Sequence, residues 1–133
     1  MKKLLLLLSI SAMLGALTLP LGAGNLTTKG RAWLDAQGDN AAADISGAWY
    51  SKGWGTIVLH QAPNSRELTG KDDGLEVSGV VVGKQVRLLF SQRDKVVYSA
   101  ELTLDANGAL SGAYAKGLMR EKTKVHTMRL IKQ

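Results

Sequence analysis

Trp54 stands between Gly53 and Gly55, in a stretch with the marks of a hairpin tip. A large aromatic side chain at such a tip can anchor a partner or lie over a cavity mouth as a plug. Asp72 and Asp73 are adjacent carboxylates, and paired carboxylates are the raw material of acid–base chemistry. Gly74 follows them at once, so a solvated turn is the expectation for the pair. His60 and His126 are the only histidines. A zinc site needs about four ligands, and neither histidine lies in a local cluster of His, Asp and Glu. A calcium loop needs more oxygen ligands in order than Asp72-Asp73 supplies. No motif assembles a nucleophile, a base and an orienting group, so the expectation is a non-enzymatic protein with no cofactor. Lys116, Arg120, Lys122, Lys124, Arg129 and Lys132 form a basic run relieved only by Glu121. Such a run suits an acidic protein face or an anionic envelope polymer. It equally suits a solvated edge strand guarded by lysines.

The first residues bear on where any of this chemistry takes place. Lys2 and Lys3 precede an apolar stretch from Leu4 to Leu19, which Pro20 ends, and the small residues Gly22, Ala23 and Gly24 follow. Charge, apolar core, helix breaker and small residues in that order read as a secretory signal peptide over residues 1–24. The apolar stretch is short for a membrane span, which takes about 20 residues. The expectation is an exported chain, periplasmic or secreted, with no membrane span after cleavage. The chain has no cysteine, so its domain must be stable through its own core, although an oxidising compartment would permit disulfides.

Length and charge narrow the function classes. A chain of 133 residues, 45% hydrophobic and 21% charged, fits one globular domain. The formal charge is +6; loss of Lys2 and Lys3 leaves 15 of the 17 basic residues against 11 acidic ones, or +4. That is far from the dense basic footprint of a nucleic-acid binder.

The elements that must position these residues are strands. Asn25 to Asp44 reads as a flexible N-terminal arm anchored by Trp33 and Leu34, with room for a short helix near Arg31 to Gln37. From Ile45 onward the pattern has period two. In Tyr98–Leu104, residues Tyr98, Ala100, Leu102 and Leu104 share one face, and Ser99, Glu101 and Thr103 the other. Ile57 and Leu59, then Leu75, Val77 and Val81, then Val86, Leu88 and Phe90, then Met128 and Leu130 repeat that alternation. Turn residues separate them at Lys52-Gly53, Ala62–Ser65, Asp72–Gly74, Gly83-Lys84, Arg93-Asp94 and Asp105–Gly108. The spacing leaves no room for crossover helices, so the strands pair as antiparallel hairpins in sequence order. About eight strands suffice to close a small all-β, up-and-down barrel over residues 45–133. The strands are short for an outer-membrane barrel, and aromatic residues are only 5% of the chain.

An aliphatic–hydroxyl–glycine triplet recurs at Ile45-Ser46-Gly47, Leu68-Thr69-Gly70, Val77-Ser78-Gly79 and Leu110-Ser111-Gly112. Two copies continue alike, as Gly47-Ala48-Trp49-Tyr50 and Gly112-Ala113-Tyr114-Ala115. Glycines repeated within strands suit the tight coiling of a small barrel.

Gly47-Ala48-Trp49 in the first strand, with Arg129 in the last, resembles the signature of the calycin superfamily: lipocalins, fatty-acid-binding proteins and avidins. The resemblance implies a barrel whose first-strand tryptophan closes one end beneath a cation from the last strand. A cation over an indole face is worth about 0.5–2 kcal/mol. The segment Ile45–Tyr50 looks most like avidins, but the residues of their biotin site are not matched. Ser51 stands where that family has Asn, and Thr69-Gly70-Lys71-Asp72 stands where it has a tyrosine ligand. No tryptophan follows Trp54.

The function expected from this reading is binding. A small apolar or amphipathic molecule would sit in the barrel mouth, above an open cavity lined by Leu59, Leu88, Phe90 and Leu102, and an interior filled by side chains, as small barrels allow, would rule that out. The residues expected to contact it are Trp49, Trp54, Phe90, Tyr114 and Arg129. The alternative is a protein-binding module, such as an inhibitor of a secreted or host hydrolase, with an envelope or host protein as partner; it would have a filled interior and an exposed Trp54 or N-terminal arm.

Overall fold

The computed structural model describes residues 27–36 and 42–133; residues 1–24, expected to be a signal peptide, lie outside them. Eight strands follow one another as β1 (Gly47–Ser51), β2 (Gly55–Gln61), β3 (Glu67–Asp72), β4 (Leu75–Val82), β5 (Gln85–Gln92), β6 (Lys95–Leu104), β7 (Leu110–Lys116) and β8 (His126–Lys132). Each pairs antiparallel with its sequence neighbours, and β8 returns to β1, so the sheet is a closed up-and-down barrel. The closing seam pairs Trp49 with Lys132 and Tyr50 with Ile131. Because β8 is bonded to both β7 and β1, it is not an edge strand. The lysines around it therefore guard no open ladder. No helix among the described residues is long and apolar enough to cross a membrane.

Period-two alternation decides what fills the barrel. Leu59 (1% exposed), Leu88 (0%), Phe90 (0%) and Leu102 (2%) point inward with Ile57, Val86, Leu110, Met128 and Leu130. Side chains with no surface open to water, from outside or from within, leave no water-sized void beside them. The expected inner cavity is therefore replaced by a packed core, as small barrels allow.

One end of the barrel is sealed. The segment before β1 crosses it, with Ala42 and Ala43 packed against the core. Ala43 donates its N–H to the Gly83 carbonyl at 2.9 Å. The Gln61 carboxamide holds the crossing in place: Oε1 accepts from Ile45 N–H at 2.7 Å, and Nε2 donates to the carbonyls of Ala43 (3.0 Å) and Ser65 (2.9 Å). Trp49 is the floor, its indole N–H donating to the Ile45 carbonyl at 2.9 Å. Every buried polar group named here has a partner, which is the condition for burying it cheaply.

Part of the expected arm is a helix on the barrel wall. α1 (Thr28–Asp35) starts at Thr27, whose hydroxyl accepts from Gly30 N–H at 3.0 Å as an N-cap. It buries Leu34 completely against the outward-facing Val80 and Leu89. Burial of one leucine side chain stabilises by about 2 kcal/mol. The Arg31 guanidinium spans Asp35 on its own helix and Glu67 on β3. Arg87 on β5 lies over the Trp33 ring at 4.5 Å and donates to the Trp33 carbonyl.

Candidate functional site at the barrel mouth

The end opposite the floor carries the β1–β2, β3–β4 and β5–β6 turns and the β7–β8 connection. Strand parity places the last inward layer there. On β3, Asp72 shares the inward face with Leu68. On β5 and β6 the register sets Phe90 opposite Tyr98, and on β7 and β8 it sets Tyr114 opposite His126.

Trp54 folds from the β1–β2 turn over this layer, with its backbone N–H donating to the Ser51 carbonyl at 3.1 Å. Its ring lies 4.7 Å from Phe90, 5.1 Å from Tyr98 and 5.0 Å from Tyr114, centroid to centroid. The two tyrosine contacts are edge-to-face, the arrangement that aromatic quadrupoles favour. The Tyr114 ring in turn lies 5.3 Å from His126. Trp54 is thus half-buried, tucked over the mouth rather than projecting from it.

Beside Trp54 a pocket of about 290 Å³ opens to solvent, walled by Asp72, Asp73, Leu75, Tyr98 and Tyr114. Asp72 is the unexpected member. The solvated turn foreseen for Asp72-Asp73 holds only for the second residue. Asp73 and Gly74 make the turn, with φ of 40° and 90°, whereas Asp72 closes β3 and is only 4% exposed. Its Oδ1 has no hydrogen-bond partner among the described residues. Burial, and then repulsion from Asp73, pushes its carboxyl up to about 6. A buried carboxylate oxygen left unpaired is costly in a folded protein.

The expected site residues separate into three places. Trp54, Phe90 and Tyr114 come together at the mouth. Trp49 lies in the floor, 1% exposed. Arg129 lies on the outer surface, where it reaches Asp105 at 3.1 Å and the Ser111 hydroxyl at 2.9 Å. The cation over Trp49 is Lys132, with Nζ 5.8 Å from the ring centroid. The reason is parity: Lys132 shares the inward face with Met128 and Leu130, and Arg129 cannot. Tyr98 and Asp72 are the additions. Both were inward by alternation, Tyr98 with Ala100 and Asp72 with Leu68.

A larger groove, about 760 Å³, runs along the sealed end between residues 42–46 and the β2–β3 turn. Its central amide, Gln61, is spent on internal hydrogen bonds, and Asp44 accepts from Ser46 at 2.7 Å. Among the described residues no group of three or more His, Cys, Asp or Glu is placed to hold a metal ion.

No protein-family model, curated protein or solved structure matches the chain.

Proposed function

We propose that this is an exported, non-enzymatic binding protein of calycin-like build that takes a small amphipathic molecule at the barrel mouth. The observation that carries this reading is the open pocket where the Trp54, Tyr98 and Tyr114 rings meet an unpartnered, buried carboxylate. Binding pockets combine an apolar lining with a few convergent polar groups, and this one has both. The packed interior removes the cavity expected beneath the mouth and counts against a ligand held inside the barrel; the reading proposed here rests on the rim pocket alone. At about 290 Å³ the pocket admits a head group or a short chain.

Native mass spectrometry of the exported protein, purified gently, tests the reading. A retained small-molecule mass that Trp54→Ala abolishes supports it. Retention that survives Trp54→Ala contradicts it.

A second reading draws on the same packed interior: a rigid scaffold that displays loops to a protein partner, such as a secreted or host hydrolase. Here a clean mass would be expected, together with capture of the hydrolase that weakens on substitution in the mouth turns.

A further inference from the structure

The mouth pocket combines three features that together specify a charge type. Its wall holds two carboxylates, Asp72 and Asp73, and among the described residues neither lysine nor arginine lines it. Its aromatic members are gathered around one ring, Trp54, with Tyr98 and Tyr114 each within 5.1 Å of it. One carboxylate oxygen, Asp72 Oδ1, is buried and lacks a hydrogen-bond partner among the described residues.

An anionic ligand would meet two like charges. A neutral apolar ligand would cover Asp72 further and leave its oxygen unpaired, which is the arrangement a site avoids. A bare metal ion would need more ligand atoms than two adjacent carboxylates provide. A soft organic cation answers every feature. The faces of Trp and Tyr rings attract ammonium groups through their quadrupoles, and quaternary ammonium recognition by aromatic clusters follows from that attraction. The same cation supplies the counter-charge that Asp72 lacks.

We propose that the pocket selects an organic ammonium head group, taken beside the rings of Trp54, Tyr98 and Tyr114 and balanced by the Asp72 carboxylate. This rests on the mouth being the binding site, and it assigns the polar half of the amphipathic ligand. Asp72 is then the specificity-determining residue, and Trp54 the residue that makes the pocket.

Isothermal titration of the exported protein with hexyltrimethylammonium, hexylamine, 1-hexanol and hexanoate tests the assignment, because the chain length is constant and only the head changes. Both ammonium compounds are expected to bind about tenfold or more tighter than 1-hexanol, the scale of a desolvated charge pair, with hexanoate weakest. Asp72→Asn, which keeps size and shape, should remove that preference and leave 1-hexanol unchanged. Trp54→Ala should weaken all the binders. A tripeptide with a central lysine separates the sources of the head group. Binding weaker than that of hexylamine points to a free amine, and equal binding points to a protein side chain carrying the same ammonium chemistry.

If the alcohol and the ammonium compounds bind alike, and Asp72→Asn changes neither, the cation assignment is overturned while the mouth remains the site. If no compound binds, or binding is indifferent to Trp54→Ala, both the assignment and the site are overturned.

Discussion

Lys132 Nζ stands 5.8 Å from the centre of the Trp49 indole, across the β8–β1 seam that closes the barrel. Gly47 makes the approach possible, since a Cβ there would come within 2.9 Å of Lys132 Cε. An exposed cation over an indole contributes about 0.5–1 kcal/mol. Lys132→Ala should therefore lower the unfolding free energy, read from urea melts, by that much, and Lys132→Arg should retain most of it. Arg129→Ala is the contrast. Arg129 pairs with Asp105 with its side chain 53% exposed, so its loss should cost about 0.5 kcal/mol or less. Equal losses for Lys132→Ala and Arg129→Ala would contradict this division of roles.

Three of the recurrent glycines mark close contacts between neighbouring strands, Gly79 among them, where a Cβ would lie 2.5 Å from the Arg87 carbonyl oxygen. A Cβ at Gly70 would lie 2.0 Å from the Val58 carbonyl oxygen, and one at Gly112 would lie 2.0 Å from that of Glu101. Those oxygens belong to backbone and cannot step aside, so the strands must part. Gly70→Ala and Gly112→Ala should each cost about 3 kcal/mol or more, or prevent folding, as severe overpacking does. Gly53→Ala meets nothing within 4 Å and should change stability by about 0.5 kcal/mol or less. Thermal melts of the three variants separate these outcomes.

The β5–β6 turn is built on Arg93 and Asp94, with φ of 53° and 68°. A two-residue turn with positive φ at both positions favours Asn and Gly. Side chains with a Cβ pay a steric penalty there. Asp94→Gly should raise the melting temperature, with a gain of about 0.5–1 kcal/mol. No gain, or a loss, would mean that Asp94 makes a compensating contact.

Asp72 links stability to pH in an unusual direction. Its carboxyl moves from the ordinary 3.8 up to about 6 on folding, so the folded state binds the proton more tightly than the unfolded chain. The contribution of this residue is therefore most favourable below about pH 4 and is lost as pH rises through 6. Asp72→Asn removes the buried charge. The variant should exceed the parent in stability by about 1–3 kcal/mol at pH 7.5, with the gap closing toward pH 4. Urea midpoints at both pH values measure it. A gap that is constant with pH would show that Asp72 is not held as an unpaired anion. Together with weaker ammonium binding, the gain would identify a residue kept for binding at a cost in stability.

The barrel was legible because its pattern is local. Alternation in Tyr98–Leu104 and the turn at Asp105–Gly108 specify a hairpin without reference to the rest of the chain. The docked helix was less so. Leu34 is buried only because β4 and β5 present Val80 and Leu89 outward. The signal for that was present in the doubled apolar runs Val80-Val81-Val82 and Leu88-Leu89-Phe90, since a strand apolar on both faces is covered on both. Arg129 was misplaced over Trp49 although Met128 and Leu130, which share one face, put their neighbour on the other. Asp72 was hidden by one residue of register: read as the first residue of a turn it is solvated, and read as the last residue of β3 it points inward. What no local pattern could supply was the convergence of Trp54, Tyr98, Tyr114 and Asp72, which come from separate hairpins and meet only when the barrel closes.

The three tryptophans make the most direct measurement possible, because Trp33 lies on the outer wall, Trp49 in the floor and Trp54 at the mouth. Each indole N–H gives its own signal in a two-dimensional nitrogen–proton spectrum, recorded while hexyltrimethylammonium is added. Binding at the mouth predicts a saturable shift of the Trp54 signal, with Trp33 and Trp49 unmoved. A shift centred on Trp49 or Trp33, or no saturable shift at Trp54, would contradict the account.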